Sequence, residues 1–312
     1  MHYIKEGSTM AKVKIMKDGH HLSRDELSVN IVGYILVGLF ALVCVIPFYL
    51  IIVASFTDEA SLIRNGYPLI PTDFSLQSYM LCLKNPVAIL KAYGTTIGVT
   101  LVGTALAVLI ATMTGYVLSR KDFPWRNKFS FFFFFTTLFS GGLVPWYMMC
   151  IRYLNFKNSY LGIILPLMFS VWNMIIAKSF MAGIPSAITE SAKIDGANDM
   201  TIYVKLILPL SKPLIATLSL FAALAYWNDW YNSMLFITNE DMFMLQYYLQ
   251  RVLGSAEAMR IVAEKSGIAL PTVPLESMKM AMTVIATGPI VLLYPFVQRY
   301  FVKGLTIGAV KG

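Results

Sequence analysis

Six long apolar runs constrain the fold of this chain more than any other feature of its sequence. They cover residues 29–55, 93–118, 129–150, 160–180, 213–237 and 281–301. A helix needs about 20 predominantly apolar residues to cross a bilayer. Only 13% of the 312 residues are charged, whereas soluble domains carry about 25%. We therefore predict an all-α integral membrane protein with six transmembrane helices.

The basic residues lie between the apolar runs and do not form one patch. If the N-terminus is cytoplasmic, the inner segments carry 16 Lys and Arg residues and the outer segments carry 9. The outer segments also carry eight acidic residues, which nearly balance their bases. Positive charge marks the cytoplasmic side of membrane proteins, so we predict that both termini are cytoplasmic. The net charge of +8 thus indicates a membrane protein and not a nucleic-acid-binding protein.

The runs divide the chain into three parts. We predict a cytoplasmic leader over residues 1–28, a membrane domain over 29–303 and a cytoplasmic tail over 304–312. Two long outer loops are expected at 56–92 and 238–280, and a polar cytoplasmic segment at 184–212. The second run carries small residues at Gly98, Gly103, Ala107 and Ala111. Such residues allow helix backbones to approach closely, so this helix is expected to pack against protein.

Residue patterns that carry enzyme chemistry are missing from the sequence. It contains no GxxxxGK[ST] phosphate loop, no HExxH, no GxSxG and no dinucleotide-binding glycine pattern. The three histidines, at positions 2, 20 and 21, all lie in the leader, and Cys44, Cys82 and Cys150 are scattered. We expect no catalytic activity, no metal site and no cofactor bound by this chain.

The polar segment 184–212 has the pattern of two short helices joined by a turn. Asp195 and Gly196 favour a helix end and a turn, and Asn198 or Asp199 can cap a second helix. Four apolar residues of that second helix recur with helical spacing on one face, namely Met200, Tyr203, Val204 and Ile207. An amphipathic edge of this kind suits the groove of a partner protein, and an ordinary interfacial loop is the alternative.

The same segment resembles the signature EAA-x3-G-x9-I-x-LP of permease subunits of binding-protein-dependent ABC importers. The matching positions are Glu190, Ala192, Gly196, Leu208 and Pro209, with Ser191 where alanine is usual and Leu206 where isoleucine is usual. The resemblance implies the type I ABC importer permease fold. It also implies that this loop docks on an ATPase subunit, with Glu190 facing a basic group and with Met200 and Tyr203 as apolar plugs. The residues implied in coupling are Glu190, Ser191, Ala192, Asp195, Gly196, Met200, Tyr203, Leu208 and Pro209.

Other stretches resemble the carbohydrate-uptake group of these permeases, the group of the maltose permeases. They are NGYPLIPTDFSLQSY, FSGGLVPWYMM and AYWNDWYNSMLFI, and SGGLVP is most like the subgroup that imports oligosaccharides or polysaccharide fragments. The resemblance implies a bacterial cytoplasmic membrane location. Its implied partners are a second homologous permease, two ATPase subunits that bind ATP and Mg, and an extracellular or periplasmic sugar-binding protein.

The segment YWNDWYN in the fifth run has the chemistry of a sugar site, because it alternates aromatic rings with amide and carboxylate groups. The candidate pathway residues are Trp227, Asn228, Asp229, Trp230, Tyr231 and Asn232, together with Asn173 of the fourth run. Interfacial aromatic anchoring and hydrogen bonds between helices are the alternative.

Three other functions compete with sugar import. An ABC importer permease for another solute class would carry the same loop. A self-sufficient secondary transporter would need ion-coupling carboxylates or two symmetric halves, and a membrane enzyme would need a catalytic constellation. The sequence displays none of the features that these last two functions need.

Overall fold

The computed structural model describes residues 24–71, 73–266 and 274–291 of the chain. Within these ranges the fold is helical, and the β-structure consists of an isolated antiparallel bridge between Thr57 and Phe74. Of the described residues, those up to Leu50 form one unit and those from Ile51 onward form a second compact unit. Every site described below lies in the second unit.

Fifteen helices follow one another along the described residues. In chain order they are α1 (Arg24–Ser55), α2 (Glu59–Asn65), α3 (Gln77–Cys82), α4 (Pro86–Ser119), α5 (Arg126–Leu138), α6 (Leu143–Arg152), α7 (Leu161–Met168), α8 (Val171–Ala182), α9 (Ser186–Ile194), α10 (Asp199–Ile202), α11 (Leu208–Leu210), α12 (Lys212–Trp227), α13 (Tyr231–Phe236), α14 (Leu245–Ser266) and α15 (residues 275–291). A π-helical turn at Tyr203–Ile207 joins α10 to α11, and a 3₁₀ turn at Glu240–Met242 precedes α14.

Helix α4 is the centre of the second unit, where it contacts α7, α8, α12 and α14. Three of the four small residues singled out in the sequence lie at these contacts, as predicted. Ala107 and Ala111 are buried, and a Cβ atom added to Gly103 would clash with the ring of Tyr226. Gly98 differs from them, because a Cβ atom there would meet nothing within 4 Å. The small residues of α4 therefore allow its backbone to pack closely against the neighbouring helices.

Among the described residues, two helices are single unbroken helices long and apolar enough to cross a bilayer, and they correspond to the first two of the six predicted spans. The third run is instead split between α5 and α6, which are bent by 112°, and the fourth between α7 and α8, bent by 45°. A third bent pair comprises Asp199–Leu210 and α12, with an angle of 83°. Counting each bent pair as one span gives up to five among the described residues.

The breaks have local causes. Gly142 has φ of +87°, a left-handed conformation that favours glycine, and it separates α5 from α6. Ser170 is extended and its side chain accepts a hydrogen bond from the backbone N–H of Asn173, which starts α8. Each of these two runs, predicted as one span, is divided into two helices because such start signals lie inside the apolar stretch. The sixth run begins in α15, and its remainder lies outside the described residues, as do the tail and residues 1–23 of the leader. The last five leader residues, 24–28, form the start of α1.

The two predicted outer loops contain helices. The first holds α2, α3 and the start of α4, and the second holds α14. Helix α14 buries Leu245 and Leu249 and partly buries Val252 and Ala256, a stripe with helical spacing on an otherwise polar sequence. This amphipathic period is the signal that marks the segment as a helix and not a loop.

Candidate functional site

The segment from α9 to α11, which we call the elbow, has the predicted shape of two short helices joined by a glycine turn. Helix α9 ends at Ile194, and Gly196 has φ of +79°. The N–H of Ala197 donates to the carbonyl of Ala192 at 2.9 Å, which closes the end of α9. A left-handed residue at this place is typical of helix C-termini and favours glycine. The structure thus confirms the turn that the sequence predicts at Asp195–Gly196.

The second arm of the elbow begins at Asn198. Its side-chain oxygen accepts a hydrogen bond from the N–H of Thr201 at 2.8 Å, which confirms the predicted cap. The helix then widens into the π turn, where the N–H of Leu208 donates to the carbonyl of Tyr203. Turns of this kind inside helices are frequent at functional sites.

The apolar face predicted for this arm is divided between the interior and the surface. Tyr203 is 4% exposed and Ile207 is buried, whereas Met200 is 57% exposed and Val204 is also exposed. The Tyr203 hydroxyl lies 2.8 Å from the Oγ1 atom of Thr112 in α4. The expectation that Tyr203 is an exposed plug was therefore wrong. Helical spacing identifies an apolar face, but it does not say whether the chain's own core or a partner covers it.

The exposed surface of the elbow contains most of the other motif residues. Glu190, Ser191, Asp195, Gly196 and Pro209 are exposed, whereas Ala192 is buried and Leu208 is half-buried. The surface also includes a residue that the sequence reading missed. Ile194 is 87% exposed, an unusual position for an isoleucine. Ile194 directly precedes the predicted turn at Asp195–Gly196, and this position is the feature of the sequence that could have selected it as an exposed residue.

An ion-pair cluster joins the elbow to the turn after α4. Arg120 binds Asp122 through two parallel hydrogen bonds, Nε to Oδ1 at 2.9 Å and Nη2 to Oδ2 at 2.5 Å. Its Nη1 atom lies 2.5 Å from Oδ1 of Asp199 at the start of α10. Lys193 of α9 donates to Oδ2 of Asp122 at 2.7 Å. The sequence reading did not find this cluster.

The charges of the cluster shift one another's protonation. Hydrogen bonds from Arg120 and then from Lys193 hold the pKa of the Asp122 carboxyl well below its usual range. The hydrogen bond to Asp122 raises the pKa of Arg120. Both groups therefore stay charged at every pH near neutrality.

The predicted pathway residues lie at the break between α12 and α13, where the structure separates them into two sets. Asp229 and Asn232 are buried and bind each other, since Asp229 Oδ1 accepts from the N–H of Asn232 at 3.2 Å and Oδ2 accepts from its Nδ2 at 3.1 Å. Trp227 is 6% exposed, and its Nε1 donates to the carbonyl of Ala286 in α15 at 3.0 Å. Asp229 and Asn232 thus stabilise the start of α13, and Trp227 connects α12 to α15.

The side chains of the second set are exposed. Trp230 is 37% exposed, Tyr231 is similarly exposed, and their rings meet edge to face at 5.8 Å. Asn228 is exposed and accepts a long hydrogen bond from Gln246 Nε2 at 3.4 Å. Asn173 of α8 is buried. An open aromatic pair beside an amide is suited to contact a sugar, and buried Trp227 and Asp229 are not placed to do so.

Known proteins with similar sequences identify the family of this chain. The family described as "Binding-protein-dependent transport system inner membrane component" matches residues 103–307, which include the second half of α4, the elbow and the break after α12. This chain belongs to that family. It is an ABC transporter permease component and an integral membrane protein.

Several relatives of this permease are described as sugar permeases. A polygalacturonan/rhamnogalacturonan transport system permease protein of Bacillus subtilis is 39% identical over 282 residues, covering 90% of this chain and 97% of that protein. A trehalose/maltose transport system permease protein of Thermococcus litoralis is 29% identical over 296 residues, covering 93% and 99%.

A solved structure shares the fold. It is the crystal structure of a bacterial ABC transporter involved in the import of the acidic polysaccharide alginate. One of its chains is 27% identical, with a TM-score of 0.72, and the match covers 89% of this chain and 98% of that chain. The type I permease fold inferred from the resemblance is consistent with this neighbour.

Proposed function

We propose that this permease is one of two transmembrane subunits of an ATP-driven importer of oligosaccharides, located in the bacterial cytoplasmic membrane. Its partners would be a second homologous permease, two ATPase subunits and an extracellular or periplasmic sugar-binding protein. ATP and Mg would be bound by the ATPase subunits and not by this chain. The chain would form half of the translocation pathway and would span the membrane six times, with both termini in the cytoplasm.

The observation that carries this proposal is the exposed surface of the elbow. A glycine with positive φ holds two short helices at a fixed angle, and Glu190, Ile194 and Met200 extend from them into solvent. Exposed apolar side chains beside a carboxylate are costly to leave in water and are suited to a partner's groove with a basic group. On this basis the elbow is the contact through which ATP hydrolysis drives the permease.

Oligosaccharides are the substrate class that the relatives favour. Polygalacturonan/rhamnogalacturonan and trehalose/maltose name the substrates of two of them, and alginate names that of the structural neighbour. We infer that Asn228, Trp230 and Tyr231 line the sugar path, because they are the exposed members of the segment at the helix break.

Two tryptophans that lie three residues apart are assigned different roles, Trp230 in the sugar path and Trp227 in the core. Trp230→Ala should lower sugar uptake with little change in the thermal stability of the assembled complex. Trp227→Ala should lower stability, because it removes a buried ring and the hydrogen bond to Ala286. Unchanged uptake by a stable Trp230→Ala complex would remove this residue from the path.

The complex itself tests the proposed function. This chain, tagged, is coexpressed with the second permease and the ATPase, purified and placed in lipid vesicles with the binding protein. We expect uptake of labelled oligosaccharides released from polygalacturonan that depends on ATP, and no competition by amino acids. Competition by an amino acid would indicate an importer for another solute class. Uptake by this chain alone, driven by an ion gradient, would indicate a secondary transporter.

A further inference from the structure

The orientation of the elbow relative to the other helices is restrained by the chain at only two connections. The elbow joins α8 near Gly183 and α12 at Ser211, where the chain bends by 83°. A lever attached at such a bend pivots when it is pushed, unless contacts brace it against a neighbouring element. The contacts between the elbow and α4 are therefore decisive for what a push on the elbow would do.

The ion-pair cluster forms the solvent-facing brace. Arg120 extends from the end of α4 and holds Asp122 and Asp199 at once, and Asp122 in turn holds Lys193. Both arms of the elbow are thus tied to the same turn, since Lys193 belongs to α9 and Asp199 to α10. Two bases and two acids alternate along the cluster, so each charge has an opposite partner.

A buried contact lies directly behind the cluster. The Arg120 guanidinium lies 5.7 Å from the centre of the Tyr116 ring, and this ring packs at 5.5 Å from the ring of Tyr203. The Arg120 side chain is only 19% exposed, so water screens its ion pairs less than those of a fully exposed side chain. The brace is therefore continuous from the surface to the core of the elbow.

Helix α4 carries this brace at its C-terminal end. It packs along α8 and α12. A helix of 34 residues is a rigid element, so a displacement of its end at Arg120 is also felt by the helices along its length.

We propose that Arg120 is a positioning residue for energy coupling, which fixes the elbow to α4 so that the two move as one body when the elbow is pushed. This inference rests on the proposed function and adds the element of the chain that receives the motion. It predicts that loss of the cluster separates ATP hydrolysis from sugar movement while the complex stays assembled.

The principal test is a charge reversal with a charge-swap rescue. Arg120→Asp breaks the pairs with Asp122 and Asp199. Adding Asp199→Arg places both acids on the turn after α4 and both bases on the elbow, which restores attraction between the two. In vesicles we expect Arg120→Asp to lower the sugar moved per ATP hydrolysed by at least about fivefold, the low end of typical coupling between distant sites. The double variant should recover most of the ratio.

A matched control lies at the other end of the same helix. Lys91→Asp removes the ion pair between α4 and Asp241 but leaves the elbow untouched. It should leave the ratio of transport to ATP hydrolysis unchanged. A similar fall of the ratio for Lys91→Asp and Arg120→Asp would overturn the proposal, because any charge reversal on α4 would then suffice.

The remaining outcomes also decide the question. An unchanged ratio in Arg120→Asp overturns the inference, and the proposed function stands if the wild-type complex still imports sugar with ATP. Failure of the wild-type complex to retain ATPase or to import sugar refutes the proposed function itself. If Arg120→Asp does not accumulate, the double variant Lys193→Gln/Asp199→Asn removes the ties of both arms of the elbow to this turn. An unchanged ratio in that double variant overturns the inference equally.

Discussion

Gly115 of α4 lies where that helix crosses α8, and its replacement tests how closely the two helices approach. A Cβ atom at position 115 would lie 2.5 Å from the Cβ of Ala177 and 2.9 Å from the backbone nitrogen of Lys178. Carbon atoms in contact normally lie about 3.5–4.0 Å apart. Because one of these neighbours is backbone, α8 itself must move away by roughly 1 Å for Gly115→Ala to fit.

The expected size of this effect follows from two opposing contributions. Overpacking costs about 1–3 kcal/mol, and the short distances to backbone place this contact near the upper value. Alanine in place of glycine inside a helix returns about 0.5–1 kcal/mol. We therefore expect Gly115→Ala to lower the free energy of unfolding by about 2 kcal/mol.

The assay is thermal unfolding of the purified complex in detergent, with Gly98→Ala as the matched control on the same helix. Nothing lies within 4 Å of the Cβ position at Gly98, so alanine there meets open space within this chain. Gly115→Ala should lower the unfolding temperature relative to wild type, and Gly98→Ala should leave it unchanged or raise it. Equal unfolding temperatures for the two variants would refute the close approach of α4 and α8.

Two further predictions concern charged contacts. Glu59 accepts hydrogen bonds at 2.9 Å from the backbone N–H groups of Glu276 and Ser277 at the start of α15, so Glu59→Ala should destabilise the complex by about 1.5–3 kcal/mol. Thermal unfolding checks this against Glu240→Ala, whose ion pair with Arg251 is long at 3.8 Å and whose loss should have little effect. The depressed pKa of Asp122 means that its ion pairs stabilise the elbow above the ordinary carboxyl pKa and are lost only as the pH falls through the depressed value. Transport per ATP should thus be constant from about pH 5.5 to 8 and fall in high salt; a change near neutral pH that Arg120→Asp abolishes would contradict this.

Local chemistry made the shape of the elbow predictable. A glycine after an aspartate ends a helix, and an asparagine side chain starts the next one, so the turn at Gly196 and the cap at Asn198 follow from nearest neighbours in the sequence. The broken apolar runs carried comparable signals at Gly142 and Ser170. The prediction of one span for each run rested on the length and hydropathy of the run and did not use these two signals.

The contacts between distant segments were not predictable in the same way. Met200 and Tyr203 have equivalent places in the helical pattern, yet Thr112 and Tyr116 of α4 bury the tyrosine and leave the methionine exposed. Trp227 was assigned to the sugar path from its chemistry, but the carbonyl of Ala286 holds it in the core. Such choices depend on which helices become neighbours, and a single sequence does not state this.

The pairing of Arg120 with Asp199 has the same origin. Each residue lies in a polar turn that the sequence reading identified as cytoplasmic, and neither turn contains a motif that points to the other. Only the packing of α4 beside the elbow brings the guanidinium to the carboxylate.

The central claim, that the elbow couples this permease to an ATPase, is tested most directly by one paired measurement on two variants. Gly196→Val forces a β-branched residue into the left-handed conformation, where φ is +79°, although its Cβ would meet nothing within 4 Å. Glu190→Ala removes an exposed carboxylate without altering the core of the chain. Pull-down of ATPase with the membrane subunits is measured beside sugar uptake in vesicles. We predict that both variants remain inserted and paired with the second permease, and that they retain less ATPase or hydrolyse ATP without moving sugar. Normal ATPase retention and normal uptake in both variants would contradict the claim.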